Sequence, residues 1–251
     1  MVGLYIQYFD TGYTFIWITY LYPENIRVFE NENMHKTMEI SVEQNLFEAN
    51  NEIASKNAEL LRKNNIYSID FLGAIGSGKT LLIEKILDNL NEKGKRGAAI
   101  AGDVAGDDDY KRFKEHDVQA TSLNTGKECH LDAHLISYAL EDLDLKEIDV
   151  LFIENIGNLV CPMDFPLGTD KRVVVVSVTE GDDMVRKHPM IFGLADVIVI
   201  NKIDLAEIME VDTKRIISDA KAINPHTKIC LTDAKHGEGI EEFISVLEIQ
   251  A

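Results

Sequence analysis

The stretch Gly73-Ala74-Ile75-Gly76-Ser77-Gly78-Lys79-Thr80 narrows what this chain can fold into more than any other feature. It follows the apolar run Ile69, Phe71, Leu72 and precedes Leu81, Leu82, Ile86 and Leu87, which recur at helical spacing. A glycine-rich turn between a strand and a helix lets several backbone N–H groups face one polyphosphate, and the positive end of the helix dipole points at the same anion. On this reading Gly73, Gly76, Ser77 and Gly78 form the cradle. Lys79 places a point charge on the β- and γ-phosphates, and the Thr80 hydroxyl ligates Mg²⁺.

The rest of the chain repeats the same alternation of short apolar runs and helical patterns. Residues 98–101 form a small buried strand that delivers Gly102 and Asp103 to the edge of the sheet carrying the phosphate loop. In α/β sheets ligands lie at the carboxyl ends of the strands, so Asp103 is placed to hold Mg²⁺ through water or to orient the attacking water. Asp107-Asp108-Asp109 caps and charges the next helix start, because consecutive helical residues point different ways. Residues 120–123 are a third strand, leading through Asn124-Thr125-Gly126 into a helix expected over residues 127–140. Residues 149–154 are a central strand ending in Glu154, a Mg²⁺-associated carboxylate, and Gly157 then frees a backbone N–H to sense a γ-phosphate. Further strands at residues 173–178, 197–200 and 228–231 and a closing helix over residues 238–247 complete a doubly wound, mostly parallel sheet with helices on both faces.

The apolar runs that end in Gly73, Asp103 and Glu154 therefore deliver their functional groups to one edge. Lys79, Asp103 and Glu154 are the expected catalytic set, with Thr80, Asp103 and Glu154 around Mg²⁺. No arginine is adjacent to Lys79 or Asp103 to stabilise transition-state charge in cis, so slow intrinsic turnover is expected.

A chain of 251 residues accommodates one large α/β domain with an appendage. The formal net charge of -18 argues against nucleic acid or an anionic membrane as partner. Cys129, Cys161 and Cys230 make no even disulfide framework and no C-x-x-C pair, which suits a reducing cytoplasm. Residues 1–33 are set apart by composition, holding Tyr5, Tyr8, Phe9, Tyr13, Phe15, Trp17, Tyr20, Tyr22 and Phe29. The apolar run over residues 13–22 is too short to span a bilayer, and no basic residue precedes it. We expect these residues to be an atypical extension and the native start to be Met34 or Met38. Residues 34–65 read as an N-terminal helix beginning at a Ser41/Gln44 capping box, and 66–251 as the nucleotide domain.

Asn201-Lys202-Ile203-Asp204, directly behind an apolar strand, selects the base. The Asp204 carboxylate accepts from the guanine N1–H and exocyclic amine, which adenine does not present. Asn201 braces the loop, the Lys202 stem covers the base face, and Ala234 and Lys235 flank the guanine carbonyl. GTP, not ATP, is the expected nucleotide.

Cys129-His130 and Cys161 give the cycle an output. Cys129 is read at a helix start, where a thiolate is favoured, with His134 one turn beyond His130 on the same face. Cys161 lies on the segment continuing from Glu154 and Gly157. Two thiolates and an imidazole suit Ni(II) or Zn(II), and the incomplete shell calls for a second subunit about a two-fold axis, hence a GTP-dependent homodimer. Cys230 is read as a structural core residue.

At these residues the chain resembles the HypB family of hydrogenase nickel incorporation GTPases. The resemblance rests on residues 73–80, on the run from Asn124 through Cys129-His130 to His134, on Glu154-Asn155-x-Gly157 with Cys161-Pro162, on Glu180-Gly181-Asp182-Asp183 and on Asn201–Asp204. It implies a dimerising GTP-hydrolysing metallochaperone that binds nickel or zinc at Cys129, His130 and Cys161. It also implies delivery of nickel, with a small zinc-containing accessory protein, to the large subunit of a [NiFe] hydrogenase. The cysteine-rich and His-rich N-terminal motifs of some members are absent, and Tyr138 stands where some members have a second His. A nickel GTPase serving urease would carry Cys-Pro-His, which is not found here. A regulatory switch with incidental cysteines is the alternative of another class.

Overall fold

The computed structural model of the chain describes residues 2–8, 14–20 and 32–249, which fall into two units, Met1–Gln44 and Asn45–Ala251. In the first, β1 (Val2–Tyr8) and β2 (Thr14–Tyr20) pair antiparallel, Val2 opposite Tyr20 and Tyr8 opposite Thr14. The aromatic and β-branched residues that set this region apart are those that favour a pleated strand. The rest of the expected extension, residues 9–13 and 21–31, lies outside the described residues. Helix α1 (Glu32–Lys63) runs straight through Ser41, so the predicted capping box is helix interior and the helix starts earlier than expected.

The second unit is built on a sheet of seven strands: β3 (Tyr67–Gly73), β4 (Gly97–Asp103), β5 (Gln119–Asn124), β6 (Val150–Glu154), β7 (Lys171–Ser177), β8 (Val197–Asn201) and β9 (Lys228–Thr232). They lie in the order β5-β4-β6-β3-β7-β8-β9, and every neighbouring pair is parallel. The crossovers carry α2 (Lys79–Glu92), α3 (Asp108–Lys114), α4 (Ala133–Glu141), α5 (Met184–Lys187), α6 (Pro189–Gly193), α7 (Thr213–Ile223) and α8 (Ile240–Val246). This is the doubly wound arrangement expected from the alternation of elements.

Burial on both faces explains the unbroken apolar runs. Phe71, Phe152, Val173, Val175, Val197 and Val199 pack with Leu82, Ile83, Ile86 and Phe243 on one face. Their neighbours in sequence turn to the other, Leu151 and Ile153 against Ile136 and Leu140, and Val174, Val176, Ile198 and Ile200 against Ile191 and Ile216. From Asn50 onward α1 packs on this same domain, a choice the sequence left open. Asn50 accepts from the Ala133 N–H at 2.8 Å and donates to the Pro166 carbonyl, while Asn57 donates to the Ala133 carbonyl.

The helix expected over residues 127–140 begins only at Ala133. Asp132, in extended conformation, caps it by accepting from the Leu135 N–H at 2.7 Å. The residues before it are held as a loop by long-range bonds: Asn158 Nδ2 donates to the Cys129 carbonyl and the Leu131 N–H donates to Asn155 Oδ1. Those partners lie across the sheet edge, so helical periodicity alone ran the helix too far.

One carboxylate is enclosed in the sheet itself. Asp70 on β3 is fully buried, with Arg172 Nε at 3.7 Å and Asn155 Nδ2 at 3.4 Å, and burial pushes its pKa from an ordinary 3.8 up to about 6. The folded state therefore holds this proton more tightly than the unfolded chain, so the contribution to stability is full below pH 4 and is lost as pH rises through 6. The difference in unfolding free energy between Asp70→Asn and the unaltered chain should move by about 3 kcal/mol in favour of the variant between pH 4 and pH 7. Denaturant titrations at several pH values measure it; a difference that does not change with pH refutes the assignment.

Candidate functional site

The phosphate loop leaves β3 at Gly73 and enters α2 through Gly78, whose φ of 100° places it in the left-handed region. A Cβ at Gly78 would collide with Asn201 Nδ2, so both the turn and the close approach require glycine. Lys79 is buried, and its ammonium donates to the Gly73 and Ala74 carbonyls, both at 3.2 Å. Burial lowers its pKa, with Glu154 at 4.0 Å opposing the shift.

Thr80 Oγ1 lies 2.9 Å from Glu154 Oε1 and 3.0 Å from Asp109 Oδ1. Glu154 is enclosed; its Oε2 has no hydrogen-bond partner, and burial outweighs Lys79 to push its pKa up to about 7. A hydroxyl and two carboxylates converging on one point, one of them with an orphaned buried oxygen, are hard oxygen donors that fit Mg²⁺. Binding a dication there would relieve the cost of ionising Glu154.

Asp103, expected at this point, is turned back on its own loop, where its carboxylate accepts from the Val104 and Ala105 N–H groups. Asp109 lies at Thr80 in its place. The sequence reading took Asp107-Asp108-Asp109 as a helix start, and the geometry divides the run: Asp107 pairs with Lys111 at 2.7 Å while Asp109 points inward. What aims α3 is a pairing between helices, Arg112 bridging both oxygens of Glu84 on α2 at 2.8 and 2.6 Å. Arg112 Nη1 also lies 3.8 Å from Asp109. No pattern within residues 107–109 announces this.

On the base side Asn201 is buried and joins three segments. Its Nδ2 donates to the Ser77 carbonyl at 2.9 Å, and its Oδ1 accepts from the Thr232 hydroxyl at 3.0 Å and the Ala234 N–H at 3.2 Å. Lys202, at a φ of 61°, reaches back to donate to the Gly76 carbonyl at 2.7 Å. Asp204 and Lys235 are exposed and Ala234 is buried. The structure adds His236, whose Nδ1 contacts Asp233 and which lies with Asp233 and Asp204 in one cluster. The only sequence signal for it was its position one residue after Lys235.

Cys129, His130 and Cys161 come together, with one donor atom from each lying within 4.8 Å of the others. The two sulfurs are 2.8 Å apart, and Cys129 Sγ is 4.0 Å from His130 Nδ1. The His130 ring stacks on Phe165 with centroids 4.1 Å apart, and Phe165 in turn meets Phe47 of α1. Because α4 starts at Ala133, Cys129 is not at a helix N-terminus. Its thiol is raised, first by its hydrogen bond to Cys161 and then by burial, contrary to the lowering expected from a helix start. A soft cation replacing the shared proton would satisfy both sulfurs.

His134 is not in this group. It is exposed in the first turn of α4 and packs edge-on against Tyr138 at 4.7 Å. The helical i, i+4 relation to His130 fails because His130 is not helical. Cys230 is buried in β9 with its thiol pushed up to about 11 by burial, as befits an inert core residue.

The two halves of the site touch at Gly157, which lies against the phosphate loop: a Cβ there would come within 2.8 Å of the Ile75 nitrogen and 2.9 Å of its Cα. Among the described residues no helix is long and apolar enough to cross a membrane.

Residues 69–231 match the family model described as the CobW/HypB/UreG nucleotide-binding domain. The chain is 53% identical over 215 residues to the probable hydrogenase maturation factor HypB of Methanocaldococcus jannaschii, covering 86% of this chain and 97% of the relative. Among solved structures it is similar to the hydrogenase maturation factor HypB from Archaeoglobus fulgidus, with a TM-score of 0.75, 48% identity, and 80% and 97% of the two chains covered. It is also similar to HypB from Helicobacter pylori in complex with nickel, with a TM-score of 0.75, 33% identity, and 79% and 93% covered.

Proposed function

The chain belongs to the HypB family of hydrogenase maturation factors, within the CobW/HypB/UreG nucleotide-binding domains, and from that premise we propose that it is a GTP-hydrolysing nickel metallochaperone. The single observation that supports this most is that Glu154, facing the phosphate loop, and Cys161, in the soft-donor cluster, belong to one short segment leaving β6. Nickel is the cargo, taken at Cys129, His130 and Cys161, with zinc able to occupy the same donors. The solved Helicobacter pylori relative was crystallised in complex with nickel, which accords with this assignment.

The chain's own groups divide the work. Lys79 and the loop N–H groups hold the β- and γ-phosphates, and Asp204 accepts from the guanine edge while Asn201 keeps that loop against Ser77. Thr80, Asp109 and Glu154 would hold Mg²⁺, which neutralises phosphate charge when bound. The γ-phosphate then lies where Gly157 and Ile75 meet, and movement there is carried along the chain to Cys161. With three donors per chain, a GTP-dependent homodimer about a two-fold axis completes the metal shell. The loaded dimer passes nickel, with a small zinc-containing accessory protein, to a hydrogenase large subunit in the cytoplasm, where the three free thiols stay reduced.

Metal content and sedimentation of one sample with GDP and with a non-hydrolysable GTP analogue test the proposal. A dimer and altered nickel affinity in the analogue form are expected; identical affinity and mass in both forms refute it. Asp109→Asn should raise the Mg²⁺ concentration for half-maximal GTP turnover by about 10- to 100-fold, and by more than Asp103→Asn does. The reverse order would return Asp103 to the metal.

A further inference from the structure

The segment leaving β6 reads Glu154-Asn155-Ile156-Gly157-Asn158-Leu159-Val160-Cys161, and its second asparagine makes contacts that no motif assigns. The backbone of Asn158 is bridged to Gly73, the first glycine of the phosphate loop. Its side-chain Nδ2 donates to the Cys129 carbonyl at 3.1 Å, and its Oδ1 accepts from the Val160 N–H at 2.8 Å. A carbonyl can only accept and an N–H can only donate, so these partners fix which way the amide faces. One residue thus joins the phosphate loop, the backbone of one cysteine and the residue preceding the other.

We propose that Asn158 is the positioning residue that couples nucleotide state to metal grip, by holding the Cys129 and Cys161 segments in register with each other and with Gly73. The inference rests on the nickel and GTP reading given above. Its physical basis is leverage. The Cys129 carbonyl fixes the direction of that residue's Cα–Cβ bond, and so the place of a sulfur only 2.8 Å from its neighbour. A shift of the phosphate loop passes to Asn158 through the Gly73 bridge and reaches both sulfur-bearing segments at once. Asn155 ties the same segment more deeply, accepting from the Leu131 N–H at 3.1 Å. It is fully enclosed and serves the fold as well, whereas Asn158 is half-buried and can be altered with less disturbance.

The experiment measures Ni(II) affinity by competition with a chromophoric chelator, in the GDP form and in the form loaded with a non-hydrolysable GTP analogue. The unaltered chain, Asn158→Ala and Asn158→Asp are compared. In the unaltered chain the two affinities should differ within the usual range of allosteric coupling, about 5- to 150-fold. In Asn158→Ala the ratio should fall to within about twofold of one, and the near-ultraviolet thiolate-to-nickel band should no longer shift between nucleotide forms. Asn158→Asp keeps the acceptor for Val160 but sets an oxygen against the Cys129 carbonyl, so it should lose the ratio too. A merely structural role would lower stability in both forms and leave the ratio and the band shift intact, and that result overturns the proposal. Should the unaltered chain show no nucleotide dependence, the proposed function fails first and the role of Asn158 with it, and the unaltered sample alone reveals this. If Asn158→Ala does not fold, hydrogen exchange of the unaltered chain decides. A slow Val160 amide, on a residue 53% exposed, supports the tie, and fast exchange in either nucleotide form overturns it.

Discussion

Changing both Cys129 and Cys161 to alanine is expected to lower Ni(II) affinity by at least about 100-fold, since disturbing even an outer partner of a metal ligand costs about 10- to 100-fold and here two donor atoms are removed. The loss should not come from unfolding. Cys129 is exposed and Cys161 half-buried, and substitutions at such places change stability by about 0.5 kcal/mol or less. Only the 2.8 Å contact between the sulfurs is lost. Equilibrium dialysis against nickel and against zinc, with a thermal melt of the same sample, gives both quantities. Affinity within twofold of the unaltered chain would remove the metal from this site. The nucleotide domain would then need another output, which is the regulatory-switch alternative. His134→Ala serves as the comparison, because the structure places that ring against Tyr138 and away from the sulfurs. It should leave nickel affinity unchanged within about twofold; as a solvated surface change it has little structural effect.

Lys79→Ala should lower GTP turnover by about 10²- to 10³-fold, the usual consequence of removing one fixed charge from a developing phosphate anion. Two features of the site sharpen this expectation. The ammonium is almost fully enclosed, so solvent cannot replace it, and it is the nearest cation to Glu154, whose pKa already stands at about 7. Without Lys79 that carboxyl is harder still to ionise, which weakens the Mg²⁺ set as well as the phosphate grip. Lys79→Arg should not restore activity, because a planar guanidinium cannot enter a space that fits a compact ammonium against the Gly73 and Ala74 carbonyls. Steady-state phosphate release measures both variants. Turnover of Lys79→Ala within tenfold of the unaltered chain would mean that this loop is not the catalytic one. The same variant should remain monomeric with the GTP analogue if nucleotide capture drives dimerisation, and sedimentation tests that separately.

Those outcomes depend on groups that differ in how plainly the sequence announces them. The phosphate loop, the Asn201–Asp204 base motif and the Cys129-His130 and Cys161 pair are legible because each function requires a few residue types at short fixed spacing. Local backbone geometry, not the distant fold, makes them work. The α/β class was legible for the same reason: alternating runs of period two and period 3.6 report burial directly. The errors share a different cause. The helix around Cys129 was drawn six residues too early, which carried His134 into the metal set and put a helix dipole behind Cys129. What stops that helix is Asn155 and Asn158, both beyond residue 150, holding the chain open. Asp109 was set aside because its own neighbours are acidic. Its direction comes from the Arg112–Glu84 pair between two helices, not from its local spacing.

The sequence by itself determined that this chain binds a guanine nucleotide on a parallel sheet and carries two sulfurs and an imidazole downstream of it, because those are properties of contiguous residues. The tertiary structure alone decided which carboxylate meets Thr80, where α4 begins, and that Asn158 joins Gly73 to both cysteine segments. Each of these is a hydrogen bond or ion pair between residues brought together by the strand order β4-β6-β3, and nothing in a linear pattern specifies which two distant polar groups will share one buried edge.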